Sequence, residues 1–273
     1  MDMNYHNRRT VADMRAKKAR GEKITMLFVE TLDEARAAAE AGIDMLSIID
    51  PLWTKEMREA AGDCFVQVGL LYGELCTTED YLRAAHRVLM IGADCVYCAA
   101  GLGTVKALAD EGIPVVSHVG LIPSKCTWTG GFKAVGKTVE SAMAVWEQVK
   151  SLEAAGCFGV ELEVVPDRLG EWITRNSSMI MLGMGAGPGA DAQYLFTEDV
   201  LGHGQNHKPR HGKVYRNFAA EFERLQKERV SAFKEFIADV HSGSYPAPEH
   251  VVSMDDVEFD KFLNAHANDE IGR

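Results

Sequence analysis

Strand-length apolar runs alternate with amphipathic helical patterns along most of the chain, and this alternation constrains the fold more than any other feature. The run at residues 24–29 precedes a helical pattern at 31–41, and the next run, Ile43–Ile49, ends at Asp50. Helices joined to strands by short connections return the chain so that successive strands run parallel. The pattern therefore predicts a parallel sheet wrapped by helices.

Seven strand-length runs are clear and an eighth, near Gln193–Phe196, is weaker. With 273 residues, this count favours one (β/α)8 barrel of the TIM type, with additional C-terminal helices. We predict a single domain over residues 1–273, with an N-terminal helix within 1–22 and C-terminal helices within 212–273. A doubly wound open sheet is the alternative, which the lack of a G-x-G-x-x-G motif after the first strand disfavours.

The charge balance bears on the partners. A formal net charge of −11 leaves no basic excess to neutralise phosphates, so we expect neither a nucleic-acid nor an anionic-membrane partner. The basic N-terminal helix is expected to be solvated. The sequence has no 18-residue apolar run and no signal-peptide pattern, so a cytoplasmic location is expected.

The six cysteines are scattered, which is not the pattern of a disulfide framework. Cys95 and Cys98 form a C-x-x-C motif, but they lie in an apolar run that is typical of a strand. Strand residues three apart point to opposite faces. We therefore predict two core thiols rather than a metal or redox pair.

Catalytic residues of parallel barrels come from the C-terminal ends of the strands. Asp50 ends one strand, where it could bind a divalent cation or equally cap the following turn. His118 ends another, where it could donate to a substrate oxygen or be a satisfied core residue. In the glycine-rich turn Gly183–Gly189, Gly185 is a candidate substrate contact through backbone amides, although tight packing explains the glycines equally well.

Glu161 and Glu163 share one face of a strand that should be buried on both faces. Two inward carboxylates are costly unless they are paired or functional. Burial and mutual repulsion would raise at least one pKa, which suits a general acid or base. The alternative is a misplaced strand with a solvated face. The loop Leu121–Lys137 is longer than a plain connector and is typical of a lid or binding loop.

Several of these segments resemble the ketopantoate hydroxymethyltransferases. The resemblance rests on Ile113–Pro123 (IPVVSHVGLIP), Gly130–Lys137 (GGFKAVGK), Leu162–Pro166 (LEVVP), Gly183–Gly187 (GMGAG) and Ser242–Pro246 (SGSYP), and it spans roughly residues 20 to 252. Members of this family are (β/α)8 barrels related to the phosphoenolpyruvate mutase and isocitrate lyase superfamily. The resemblance therefore implies the same fold.

The resemblance also implies a chemistry. Family members transfer a hydroxymethyl group from 5,10-methylenetetrahydrofolate to 3-methyl-2-oxobutanoate, with Mg²⁺ holding the 2-oxoacid while a base removes the C3 proton. By position, Glu163 is the catalytic carboxylate, His118 the strand-five histidine and Asp50 one metal aspartate. Large ring-like homo-oligomers are implied as well.

Four positions depart from the family pattern. The second metal aspartate is replaced by Gly69, an acidic residue by Ala99, the substrate lysine by Tyr97, and a serine by Pro51. By strand parity the side chains of Gln67, Tyr97 and Glu161 all point inward. We interpret these three residues as a rebuilt substrate-binding layer. The sequence leaves two alternatives open. One is a C–C lyase or decarboxylase, with or without a metal, and the other is a non-catalytic relative that binds a metabolite.

Overall fold

The structure, a computed structural model, describes residues 8–204 and 209–271. Parallel strands pair in chain order and the last closes on the first. The strands are β1 (Ile24–Phe28), β2 (Met45–Ile49), β3 (Phe65–Gly69), β4 (Cys95–Tyr97), β5 (Val115–Gly120), β6 (Gly159–Glu163), β7 (Ile180–Met184) and β8 (Ala192–Phe196). The closed barrel confirms the predicted fold class, including its weak eighth strand, and excludes the open sheet.

Helices follow the strands in the expected alternation. They are α1 (Val11–Ala19), α2 (Leu32–Glu40), α3 (Lys55–Ala60), α4 (Thr78–Ile91), α5 (Leu102–Asp110), α6 (Cys126–Thr129), α7 (Val139–Ala154), α8 (Asp167–Asn176), α9 (Thr197–Leu201), α10 (Phe218–Ser242) and α11 (Asp256–Ile271). Helix α10 begins six residues later than the predicted start at residue 212.

The core has two layers because alternate strand residues face opposite sides of the barrel wall. Aliphatic side chains such as Leu46 and Ile48 pack outward against the helices, while Met45 and its neighbours fill the interior. Cys95 belongs to the inner layer and Cys98 to the outer layer, and all six cysteines are free. This placement confirms the prediction of core thiols.

Helix α1 closes one end of the barrel. Its Met14 is fully buried and belongs to the inner core cluster. Lys17 and Lys18 make ion pairs of 2.5 Å and 2.8 Å with Asp44 and Asp191. The expectation of a solvated N-terminal helix was therefore wrong, because the basic residues neutralise carboxylates that directly precede β2 and β8.

The chain divides into two compact units, residues 1–217 and 218–273. The first unit contains the barrel, and the second contains α10 and α11. No glycine- or proline-rich linker marks the boundary in the sequence, and the single domain predicted over residues 1–273 stays a prediction. No helix within the described ranges is long and apolar enough to cross a membrane.

Candidate active site

A polar layer crosses the interior of the barrel near the C-terminal ends of the strands. The register pairs His118 of β5 with Glu161 of β6, and Gly120 with Glu163. Residues two apart on a strand share a face, so the histidine and both glutamates point inward. Contacts across the barrel place Gln67 and Tyr97 in the same interior. The inward orientation predicted for Gln67, Tyr97 and Glu161 is therefore confirmed.

His118 lies between the two carboxylates. Its Nδ1 is 3.4 Å from Glu161 Oε2 and its Nε2 is 3.2 Å from Glu163 Oε2. The Tyr97 hydroxyl lies 2.8 Å from the same Nδ1, and the two rings meet edge to face. The imidazole is thus held from its Nδ1 side and faces the strand-end carboxylate through Nε2.

The Glu161 carboxylate is anchored by an amide. Gln67 Nε2 donates to Glu161 Oε1 at 2.7 Å and lies 3.2 Å from the Ser47 hydroxyl. Gln67, Ser47 and Glu161 are all buried. Burial raises the pKa of Glu161 to about 7, against the lowering effects of the His118 charge and the Gln67 hydrogen bond. The predicted upward shift is therefore found at Glu161.

Glu163 is the more accessible of the two glutamates. Its side chain is 14% exposed against 8% for Glu161, because Glu163 is the last residue of β6. His118 Nε2 is buried and has no aligned hydrogen-bond partner, despite its short distance to Glu163. Burying a polar nitrogen without a partner is costly. This nitrogen and the Glu163 carboxylate are therefore the candidate functional pair of the site.

The backbone after Glu163 is strained. Val164 has a φ of +48°, a conformation that β-branched residues strongly disfavour. It is held there by hydrogen bonds from its N–H to Met184 O at 2.8 Å and from Val135 N–H to its carbonyl at 3.1 Å. Strain maintained by surrounding structure is typical of functional sites. It fixes the direction in which β6 presents Glu163.

Asp50, the predicted metal ligand, lies in a short 3₁₀ turn directly after β2. Its carboxylate accepts a hydrogen bond from the guanidinium of Arg87 on α4. At the end of β3, Gly69 lies beside Tyr97, whose ring is 3.8 Å from where a Cβ on Gly69 would stand. No group of three metal-binding side chains occurs within the described parts of the chain. The donor set does not fit a preformed Mg²⁺ site, and the magnesium prediction stays a prediction.

Gly185, the predicted backbone contact for substrate, has a φ of +68° just after β7. A Cβ at this position would lie 2.9 Å from His211 Nδ1. The glycine is therefore required by close packing against this chain's own histidine, and its role in substrate binding stays a prediction.

Lys125 was not singled out from the sequence. It lies in the long loop after β5, where a 3₁₀ turn (Pro123–Lys125) and α6 order the chain. Its ammonium donates to Ala99 O at 2.5 Å, and partial burial lowers its pKa. Lys125 and His118 both line a cavity of about 310 Å³ at the ends of β4 and β5. Only the loop's folded path reveals this cation, because its sequence neighbours are ordinary loop residues.

A closed parallel barrel with an imidazole between two carboxylates at its strand ends defines an α/β-barrel enzyme. The family model described as ketopantoate hydroxymethyltransferase matches residues 52–248. A 3-methyl-2-oxobutanoate hydroxymethyltransferase of Thermus thermophilus is 34% identical over 89% of this chain and 99% of its own length. A second relative with this activity in its name, from Methylibium petroleiphilum, is 31% identical over 94% of this chain and 93% of its own length. The chain belongs to the ketopantoate hydroxymethyltransferase family.

Among solved structures, a putative phosphonomutase from Burkholderia cenocepacia superposes with a TM-score of 0.51. It is 14% identical and covers 83% of this chain and 100% of its own. At that identity the likeness shows the shared barrel fold alone. The family membership shows a transferase-type enzyme, which disfavours the non-catalytic binding relative.

Proposed function

We propose that the protein catalyses carbon–carbon bond chemistry on a 2-oxoacid through an enolate, with Glu163 as the base. Hydroxymethyl transfer to 3-methyl-2-oxobutanoate or a related 2-oxoacid is the leading reaction. The observation that carries the proposal is the position of the Glu163 carboxylate, at the open end of β6 and 3.2 Å from the unpartnered Nε2 of His118. The relatives' names support the class of substrate.

The two groups divide the work. The Glu163 carboxylate accepts the proton from C3 of the bound 2-oxoacid, and negative charge develops on the keto oxygen as the enolate forms. A hydrogen on His118 Nε2 can donate to that oxygen, which stabilises the developing charge in a buried site. Tyr97, Gln67 and Glu161 lie in the barrel interior on the Nδ1 side of the imidazole. These three residues are proposed to select the substrate.

Asp50 is engaged by Arg87, and the position at Gly69 has no side chain. The proposed steps therefore use only side chains of the protein. The C1 donor implied by the resemblance is 5,10-methylenetetrahydrofolate, which stays part of the proposal. The changed donor set at the strand ends favours a second candidate function, a C–C lyase or decarboxylase acting on a related carboxylate. Both functions share the enolate.

A homo-oligomer is proposed from the resemblance alone, and a cytoplasmic location from the resemblance and the acidic composition. Light scattering coupled to size-exclusion chromatography tests the first: a mass equal to the 30.0 kDa of one chain would contradict it.

The central experiment is proton NMR of 3-methyl-2-oxobutanoate in D₂O, which follows deuterium replacing the C3 proton and needs no folate. We expect wild-type protein to catalyse the exchange and Glu163→Gln to lower the rate by about 10²- to 10⁴-fold, as for loss of a general base. Glu147→Gln removes an exposed carboxylate on α7 and is the matched control.

Exchange by Glu163→Gln at the wild-type rate would reject Glu163 as the base. If wild type exchanges neither this substrate nor other 2-oxoacids, the proposed substrate class is wrong. A third outcome would favour the lyase: the protein exchanges the C3 proton but forms no C–C bond when the folate donor is supplied, and it cleaves a larger carboxylate.

A further inference from the structure

Glu161 takes no part in the proposed proton transfer, although it is the more deeply buried of the two carboxylates of the site. A continuous polar chain leads to it across the barrel. Ser47 and Glu161 both contact the Gln67 amide, Glu161 faces His118 Nδ1, and Tyr97 hydrogen-bonds the same nitrogen. The chain ends at the imidazole whose other nitrogen faces Glu163.

Glu161 and Tyr97, the two neighbours of His118 Nδ1, favour different protonation states of this nitrogen. An ionised carboxylate only accepts, so an ionised Glu161 favours a hydrogen on Nδ1, and a neutral ring then carries its lone pair at Nε2. With Glu161 protonated, the Tyr97 hydroxyl can donate to Nδ1 at 2.8 Å, and Nε2 carries the hydrogen. The Glu163 carboxylate faces Nε2 in both states and favours a hydrogen there. Ionisation of Glu161 adds a competing acceptor at Nδ1, so the protonation state of Glu161 shifts the balance between the two neutral tautomers of His118.

We infer that Glu161 is a positioning residue that determines which ring nitrogen of His118 carries the hydrogen, and so whether His118 can donate to a substrate oxygen at the Glu163 end. The inference rests on the proposed function for its catalytic consequence, but the tautomer change itself belongs to the protein without substrate. The donor-competent state is the one in which Glu161 is protonated.

The surroundings of Glu161 place this change near neutral pH. Burial raises its pKa to about 7, the His118 charge and the Gln67 hydrogen bond oppose the rise, and Glu163 adds to it. The titratable groups that interact with it inside the barrel are His118 of β5, Glu163 of its own strand, Tyr97 and Cys95 of β4, and Tyr194 of β8. Burial also raises the pKa values of both tyrosines and of Cys95, so these three stay neutral in this range.

The direct test is ¹⁵N NMR of protein labelled at its nine histidines, without substrate, from roughly pH 5 to pH 9. The His118 signals are identified by their loss in His118→Asn. We expect wild type to pass from the Nε2–H to the Nδ1–H tautomer with a midpoint near 7. Glu161→Gln, whose amide mimics the protonated acid, should hold the Nε2–H tautomer throughout.

Gln67→Met provides an independent variant, since it removes the hydrogen bond that lowers the Glu161 pKa. We expect its midpoint to rise by about one pH unit. The inference is overturned if Glu161→Gln leaves the pH-dependent tautomer change at His118 unaltered, if wild type keeps one tautomer, or if both nitrogen signals shift together, which signals a charged ring instead.

Activity gives the second readout. In wild type, the exchange rate should fall as pH rises above the Glu161 midpoint. This inflection should be lost in Glu161→Gln and should move to higher pH in Gln67→Met. A tautomer change without any exchange of 2-oxoacids would keep this inference and reject the proposed function. If the protein exchanges 2-oxoacids but Glu161→Gln keeps the wild-type inflection, the proposed function stands and this inference is rejected.

Discussion

The carbonyl oxygen of Glu163 occupies the space that a side chain on Gly120 would need. A Cβ at Gly120, where φ is +90°, would stand 2.3 Å from that oxygen. The two residues are register partners on β5 and β6, and the Leu121 N–H donates to the same carbonyl at 2.9 Å. The glycine therefore lets the two strands approach closely enough to fix the backbone of the proposed base.

Replacing Gly120 with alanine should displace Glu163. Because a shift of about 1 Å in a reacting group can cost about 10²-fold in rate, we expect the exchange activity to fall by that factor. Gly112→Ala is the control, since Gly112 also has a positive φ (+77°) but no atom within 4 Å of its added Cβ. Gly112→Ala should lose about 1 kcal/mol of stability in urea unfolding, and Gly120→Ala should lose more, because the clash with the Glu163 carbonyl adds to the strain of a positive φ. Equal activity in the two would contradict the positional role of Gly120.

Releasing Asp50 from Arg87 should strengthen binding of Mg²⁺. We expect Arg87→Met to tighten Mg²⁺ binding in the presence of a 2-oxoacid by about fivefold, the equivalent of one partly exposed ion pair near 1 kcal/mol. Isothermal titration calorimetry measures this. Arg83→Met, on the same helix and paired with Glu79 and Asp80, should leave binding unchanged. The same affinity in both variants would show that Asp50 takes no part in metal binding.

Removing the Lys125 ammonium should weaken substrate binding. The cation lines a cavity beside His118, where we expect it to attract the carboxylate of a 2-oxoacid. We expect Lys125→Met to raise KM by about tenfold with a smaller change in kcat, and Lys125→Arg to restore most of it. Lys106→Met, at an exposed pair on α5, is the control. A fall in kcat at constant KM would assign Lys125 to the chemical step instead.

The raised pKa of Glu161 also makes stability depend on pH. Its ordinary value is 4.5 and its value in the fold is about 7, so the folded protein binds more protons than the unfolded chain between these limits. The free energy of unfolding should therefore be highest, for this group, below pH 4.5 and fall as pH rises to about 7. The whole change is on the order of 3 kcal/mol.

Urea unfolding at about pH 5 and about pH 8 should show that Glu161→Gln lacks this loss and becomes the more stable protein at the higher pH. Parallel pH dependence in wild type and variant would mean that the Glu161 pKa is not raised.

The barrel and much of the site were predictable because they depend on local periodicity. Alternation of side chains along a strand was enough to place Glu161 and Glu163 on one face and to separate Cys95 from Cys98. An apolar run predicted that His118 ends its strand, but β5 continues two residues further, to Gly120. The limits of the strands were less certain, and β2 begins at Met45 rather than at Ile43.

Contacts between distant segments were decided only by the tertiary structure. The hydrogen bond between Gln67 and Glu161 joins residues 94 positions apart on strands that are not neighbours. The pairing of Asp50 with Arg87, the approach of Lys125 to Ala99 and the burial of Met14 inside the barrel are of the same kind. The sequence by itself determined which residues face inward, because facing is set by backbone geometry within one strand. Which of them meet was decided by the closure and register of the whole barrel, since these bring together groups whose separation along the chain has no local signal.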